Sequence, residues 1–490
     1  MKYPIKKILL CLTLLLAFLP VGAKEDSTDA FAVATQAAQK KGIFCTATIG
    51  CYAVNLTQGR VLGGFNAARS MIPASTLKLL TTAAVLETLG RGFRFETIIQ
   101  YDGKVDEEGT LRGNIYIKGG GDPALGSRNF QDYYYRPHFI STWVQAIQAK
   151  GIKKVTGAVI GDAQIYSDSI IPDTWAVGDL GEYYGAAVSG LSIFDNIYKI
   201  TVQAAGGYEK ATSIEAAPPL PEAVQITSQV ESAAIDRKQV YVGGWPCHPV
   251  RVIQGKVPCS NQVTTLESTS PDPAYWAAYT LHRALQEQQI EVVQSPATVC
   301  RSTMIPTARR HLCTTLSPPL GEIIMKINHD SLNSYAEHLL KHLSLAAAGP
   351  PGDTLSGTQA LKKFWSEQGV DTTGMLLRDG SGLSRHNACT PRQLVEVLCY
   401  MKKSDNATLF FESLPIAGET GNLATLFKKV PLKGNLRAKS GSLSNVRGFA
   451  GYCTNREGDE IAFAIIVNHY DGPRSMVEKA LEEILEALVG

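Results

Sequence analysis

Ser75-Thr-Leu-Lys78 is the chain's only S-x-x-K, and it heads a strongly helical stretch, Pro73 to Gly90, that follows a strand-like segment. Residues three apart on a helix share a face, so the Lys78 amine reaches the Ser75 hydroxyl. A serine hydroxyl is a weak nucleophile until a neighbouring base takes its proton, and the first helical turn favours developing negative charge. Alone, the pattern also fits a capped amphipathic helix. What it constrains is the rest of the chain, which has to wrap this turn into a cleft if the pair does chemistry.

Two further motifs follow. Ser331-Leu-Asn333 lies in Lys326 to Lys341, read as a polar loop opening a helix, and Lys439-Ser-Gly441 precedes apolar runs that read as paired strands. Two other S-x-N matches, Ser127-Arg-Asn129 and Ser404-Asp-Asn406, are taken as chance. S-x-x-K, S-x-N and K-[ST]-G in this order resemble the signature set of serine penicillin-binding proteins and active-site serine β-lactamases. Gly119 to Pro123, Trp175 to Ser189 and Asp379 to Arg385 are similar to segments of the low-molecular-mass class C penicillin-binding proteins, the D-alanyl-D-alanine carboxypeptidase/endopeptidases. The intervals agree with that group: 256 residues from Ser75 to Ser331 and 108 from Ser331 to Lys439.

The resemblance implies an α+β transpeptidase-like domain, an antiparallel sheet flanked by helices, with a large β-rich insertion. It implies that Ser75 attacks the carbonyl carbon of the penultimate D-Ala and Lys78 accepts its proton. Ser331 and Lys439 relay a proton to the departing D-Ala, and Asn333 binds the peptide and holds Lys78. The backbone N–H groups of Ser75 and Ser442 form the oxyanion hole, each such donor being worth about 3–4 kcal/mol in a transition state. Ser440 and Gly441 bind substrate. No metal or cofactor is implied. Partners are peptidoglycan stem peptides, with β-lactams as covalent inhibitors.

Met1 to Ala23 has a basic start, an apolar core and small residues before Lys24, the pattern of an export signal cleaved after Ala23. Its removal takes away Lys2, Lys6 and Lys7 and no acid, turning a formal charge of +2 into −1. Such a balance gives no reason to expect nucleic acid or an anionic membrane as partner. The expected product is exported, extracytoplasmic, and without a transmembrane anchor. Nine cysteines remain, so at least one thiol is left over; Cys247/Cys259 and Cys300/Cys313 would close short loops, with Cys45/Cys51 a weaker pair.

The expected organisation is a first peptidase part over 24–94, an inserted region of two subdomains over 95–314, and a second peptidase part over 315–490. Residues 29–41 read as a helix; 44–62 and 448–468 read as hairpins. Within the insertion, Leu111–Ile117 and Val155–Gly161 read as strands, Ser141–Lys150 and Tyr275–Gln286 as helices, and Glu215–Glu222 as a proline-rich connector.

Other readings exist. His338 and His342, with Glu337, stand one turn apart and suggest a metal pair, although H-E-x-x-H is absent. Asp379, Ser381 and Arg385 read as shaping a loop near the cleft. A β-lactamase is the nearest enzymatic rival, and a non-catalytic peptidoglycan-binding or β-lactam-sensing module the non-enzymatic one.

Overall fold

Period-two alternation in Glu460–Asn468 sends Ile461, Phe463, Ile465 and Val467 to one side and Ala462, Ala464 and Ile466 to the other, and both sides are buried. This strand therefore belongs in the middle of a covered sheet. In the computed structural model, which describes residues 30–40, 42–134, 138–204, 212–217, 219–259, 263–299 and 308–490, it does. The antiparallel order is Arg437–Leu443, Val446–Thr454, Glu460–Asn468, Thr48–Asn55, Arg60–Phe65. Both expected terminal hairpins are present, and Thr48 pairs with Asn468. The export signal and Cys300 lie outside the described residues.

One face is covered by the Ala30–Gln39 and Arg474–Val489 helices, whose Phe31, Val477, Leu481 and Leu485 pack on Phe449 and Phe463. The other face carries the Pro391–Met401 helix and the turn Ala74–Leu77, and the Lys78–Leu89 helix that continues this turn is buried from Lys78 to Leu86 among the Pro391–Met401, Leu320–Asp330, Asn333–Ala348 and Thr354–Glu367 helices. Burial of nine successive residues, Lys78 to Leu86, covers every face of the helix and places it in the core. Its Leu79, Leu80, Val85 and Leu86 are fully buried, each worth about 1.5–3 kcal/mol. Gly90, at φ 79°, ends it.

Between these halves, Glu96–Tyr101 pairs antiparallel with Arg310–Leu316, so the intervening chain leaves and returns on neighbouring strands. It contributes two three-stranded sheets and a four-stranded one, and most of a five-stranded sheet, with the helices His138–Ala149 and Pro273–Glu287.

Several expectations need correction. Leu111–Ile117 is two strands, Thr110–Arg112 and Ile115–Lys118, in different sheets, and Val155–Gly161 is likewise split into Lys154–Val155 and Val159–Asp162. Asn114 makes the break: its N–H donates to Asp102 Oδ1 at 2.5 Å, and its Oδ1 accepts from Ala158 N at 3.0 Å. Gly113 and Gly157 permit the crossing, since a Cβ there would lie 2.5 Å from Asp102 O and 2.2 Å from Asn114 Oδ1. The connector begins later than expected, because Thr212–Ala217 is a strand paired with Ile197–Gln203. Cys247 is an exposed free thiol before the nine-residue strand Val250–Pro258, with Cys259 after it. That strand separates them by roughly 30 Å, too far for a disulfide. Cys45 is an exposed free thiol and Cys51 is buried in the sheet.

Candidate active site

The helix read from Pro73 to Gly90 begins as a tight 3-10 turn, Ala74–Leu77, and becomes α-helical at Lys78. Ala74 sits in the left-handed region at φ 47°, an uncommon conformation for a residue with a Cβ. Two glycines let other segments close on this turn. A Cβ at Gly382 would lie 1.9 Å from Ala74 O, and one at Gly441 would lie 2.6 Å from Pro73 O.

Lys78 Nζ lies 3.0 Å from Ser75 Oγ, 2.6 Å from Asn333 Oδ1 and 2.7 Å from Ser381 O. Asn333 opens its helix and donates Nδ2–H to Tyr184 O at 2.9 Å. The loop expected before it is short: Lys326–Asp330 finishes a helix, and Ser331, at φ 63°, is its left-handed cap. Lys439 lies inside the Arg437–Leu443 strand rather than in a loop before it. Its Nζ donates to Ser331 Oγ at 2.8 Å and to Ser440 O at 3.0 Å.

A cleft of about 620 Å3 passes over these groups, lined by Ser75, Ser331, Asn333 and Ser442. Lys78 and Lys439 lie behind its wall with no exposure. Ser440 is almost buried on the same strand as Ser442, and Gly441 rests against Pro73.

Burial dominates the electrostatics. It pushes Lys78 down from 10.5 to about 7, against the pull of the Asp379 and Glu337 carboxylates. Burial, then Lys78 and Arg447, hold Lys439 well below the usual lysine range. An amine has two N–H donors and a lone pair. With Asn333 Oδ1 and Ser381 O taking the donors, the lone pair of neutral Lys78 is left for the Ser75 proton.

The loop of Asp379, Ser381 and Arg385 does more than edge the cleft, because the Ser381 carbonyl holds Lys78. Asp379 accepts from Gly382 N at 2.8 Å, Ser384 N at 2.6 Å, Asn387 Nδ2 at 2.7 Å and Trp175 Nε1 at 2.9 Å. Arg385 donates to Ser444 O at 3.1 Å. Sequence reading gave no place in the cleft to Arg128, Asn129, Tyr184, Asp195 and Glu267, which line its wall. Arg128 and Asn129 belong to the S-x-N match set aside as chance; it supplies cleft wall, not the second motif.

The suggested metal group is otherwise engaged. His338 Nδ1 lies 2.8 Å from Ser334 O and its Nε2 lies 3.0 Å from Ser192 Oγ, while His342 Nδ1 meets Tyr166 Oη at 2.7 Å. Glu337 accepts from backbone amides. Burial lowers His338 to about 4 and His342 to about 3. Among the described residues no three His, Cys, Asp or Glu side chains gather to hold a metal.

Residues 32–488 match the D-Ala-D-Ala carboxypeptidase 3 (S13) family. The chain belongs to that family. The D-alanyl-D-alanine carboxypeptidase DacB of Haemophilus influenzae is 27% identical over 426 residues, 86% of this chain and 85% of that protein. The D-alanyl-D-alanine carboxypeptidase of an Actinomadura species is 27% identical over 448 residues, 87% of this chain and 79% of that one. The crystal structure of penicillin-binding protein 4 from H. influenzae superposes with a TM-score of 0.80 at 26% identity, covering 93% of this chain and 99% of that one. This chain is thus a low-molecular-mass class C penicillin-binding protein and a serine-type D-Ala-D-Ala carboxypeptidase.

Proposed function

We propose that this carboxypeptidase cleaves the terminal D-Ala from peptidoglycan stem peptides through an ester on Ser75. The observation that carries the reading is the pair of serine–lysine contacts at one cleft, Lys78 Nζ to Ser75 Oγ at 3.0 Å and Lys439 Nζ to Ser331 Oγ at 2.8 Å. Ser75 Oγ bonds to the carbonyl carbon of the penultimate D-Ala while its proton passes to Lys78. The C–N bond then breaks, and the leaving amine takes a proton through Ser331 and Lys439. Water hydrolyses the ester and restores the Ser75 hydroxyl. The N–H groups of Ser75 and Ser442 hold the oxyanion, Asn333 positions Lys78 and the peptide, and Ser440 with Gly441 receives the substrate's carboxylate end. Cleavage of D-Ala to meso-diaminopimelate crosslinks is the second activity of the same cleft.

β-Lactams acylate Ser75 in this reading; the H. influenzae penicillin-binding protein 4 has been crystallised with one. The N-terminal export pattern supports an extracytoplasmic location, and among the described residues no helix is long and apolar enough to cross a membrane. We read 95–314 as the inserted region, with its boundary strands paired to each other in support.

The test is intact-mass spectrometry after exposure to a penicillin, with D-Ala release measured in parallel. Wild type gains one penicillin mass and releases D-Ala; Ser75→Ala does neither. An adduct of equal yield in Ser75→Ala, or none in wild type, overturns the assignment. Penicillin turnover on the order of 1 to 1000 per second would make the protein a β-lactamase instead.

A further inference from the structure

Glu337 is fully buried on the Asn333–Ala348 helix, one turn beyond Asn333. Its carboxylate faces the backbone of the Asp379–Gly382 loop. Oε1 accepts from Gly380 N at 3.0 Å and Ser381 N at 2.7 Å, and Oε2 accepts from Gly380 N at 3.1 Å. The carbonyl of that same Ser381 accepts from Lys78 Nζ at 2.7 Å. Thr81 Oγ1 donates to the neighbouring Gly380 O at 2.8 Å, tying the loop to the Lys78–Leu89 helix.

We infer that Glu337 is a positioning residue for the acylation step: it clamps the Gly380–Ser381 backbone so that the Ser381 carbonyl aims at Lys78, and its negative charge governs the protonation of that amine. The inference rests on the reading of Ser75 and Lys78 as nucleophile and base.

Geometry favours the charged form of Glu337. Its contacts are with N–H donors, which a carboxylate accepts and a carboxylic acid serves less well. Burial and the Asp379 carboxylate act the other way and raise it; the amide contacts, and the Lys78 ammonium whose charge it favours, hold it ionised while Lys78 is protonated. The other charged groups around this pair are Lys341 on the same helix, Lys439 on the neighbouring strand, and Asp330 and Arg447, which act on Lys439. Glu337 and Asp379 both favour the Lys78 ammonium. Without Glu337, Lys78 loses its proton at lower pH, and the carbonyl that directs it loses its anchor.

Glu337→Gln and Glu337→Asp separate the two effects. Glutamine keeps one acceptor oxygen for the two amides but no charge; aspartate keeps the charge but is one methylene short. The readouts are the rate of penicillin adduct formation across pH, by intact mass, and the unfolding temperature. In Glu337→Gln the acid limb of the profile should move down by about one pH unit, the low end of the shift a neighbouring opposite charge produces. In Glu337→Asp the limb should stay near its wild-type position while the limiting rate falls about 10-fold or more, as displaced catalytic groups do.

A Glu337→Gln profile that superposes on wild type overturns the inference. So does a lower unfolding temperature with no movement of the limb, which marks a structural role only. If Glu337→Gln does not accumulate folded, Glu337→Asp decides alone, and a folded variant with the wild-type limiting rate overturns it. Wild type that forms no Ser75 adduct defeats the underlying reading; wild type that acylates beside an indifferent variant defeats only this inference.

Discussion

Replacing Lys78 by methionine should abolish acylation and yet make the protein more stable near neutral pH. Burial lowers this lysine from 10.5 to about 7. At about 1.4 kcal/mol per pH unit that gap corresponds to about 5 kcal/mol of folding free energy lost to keeping an amine in the core. Methionine fills the same space without the charge. It removes the amine's three hydrogen-bond partnerships, with Ser75 Oγ, Asn333 Oδ1 and Ser381 O, at about 1 kcal/mol each. The net expectation is a gain of about 2 kcal/mol at pH about 7, a few degrees in unfolding temperature. The sign with pH is fixed by linkage. The unfolded chain holds the Lys78 proton up to 10.5 and the folded chain only to about 7, so wild-type stability rises with pH across that window. The advantage of Lys78→Met should therefore shrink as the pH is raised, and reverse by pH about 9, where the remaining cost of the lysine is only about 2 kcal/mol. Denaturant unfolding of both proteins at several pH values, alongside penicillin adduct mass, measures this. A variant less stable than wild type at neutral pH, or a stability difference constant with pH, refutes the reasoning.

The same amine gives the wild-type enzyme an acid limb: the rate of penicillin acylation should fall as pH drops through about 7, because protonated Lys78 has no lone pair for the Ser75 proton. Stopped-time mass spectrometry across pH reads it, and a flat profile speaks against Lys78 as base. In Gly382→Ala the new methyl would stand 1.9 Å from Ala74 O at a φ of 82°, so the Ala74–Leu77 turn must shift. Stability should fall by about 3 kcal/mol and acylation about 100-fold, read by unfolding and adduct rate. Arg447 is buried, 2.9 Å from Glu478 and donating to Gly441 O at 3.2 Å. Glu478→Gln leaves that cation without its anion and should cost about 3 kcal/mol in denaturant unfolding.

Local signals in the sequence survive folding where the chain keeps its own company. The terminal hairpins follow from two-residue alternation in Thr48–Asn55 and Glu460–Asn468, and the Ser75–Lys78 contact follows from one helical turn. The Lys439–Ser331 contact joins residues far apart in the chain and is legible only through the order of motifs. Where tertiary partners decide, local reading fails. Lys326–Asp330 looks like a polar loop because its asparagine and histidine are poor interior helix residues. Asn328 is nonetheless buried, donating to Ser413 Oγ at 2.8 Å and accepting from Thr82 Oγ1 at 3.2 Å. Glu337 reads as one more polar residue beside two histidines, since its partners are amides of Gly380 and Ser381 and no side-chain pattern announces them. Asp195 and Glu267, which line the cleft, carry no motif of their own.

The pairing of Thr48 with Asn468 has a consequence for timing. A chain made from its N-terminus presents Ser75 early, as an ordinary hydroxyl. Lys439 and the final hairpin come last, and until Glu460–Asn468 docks, Thr48–Asn55 has one open edge. Closing a loop of such length is entropically slow to reward, so the half-made protein holds the Ser75 hydroxyl without its cleft. Hydrolytic competence thus arrives with the last strand to join the sheet, and a chain cut short of that strand is a bystander to the wall.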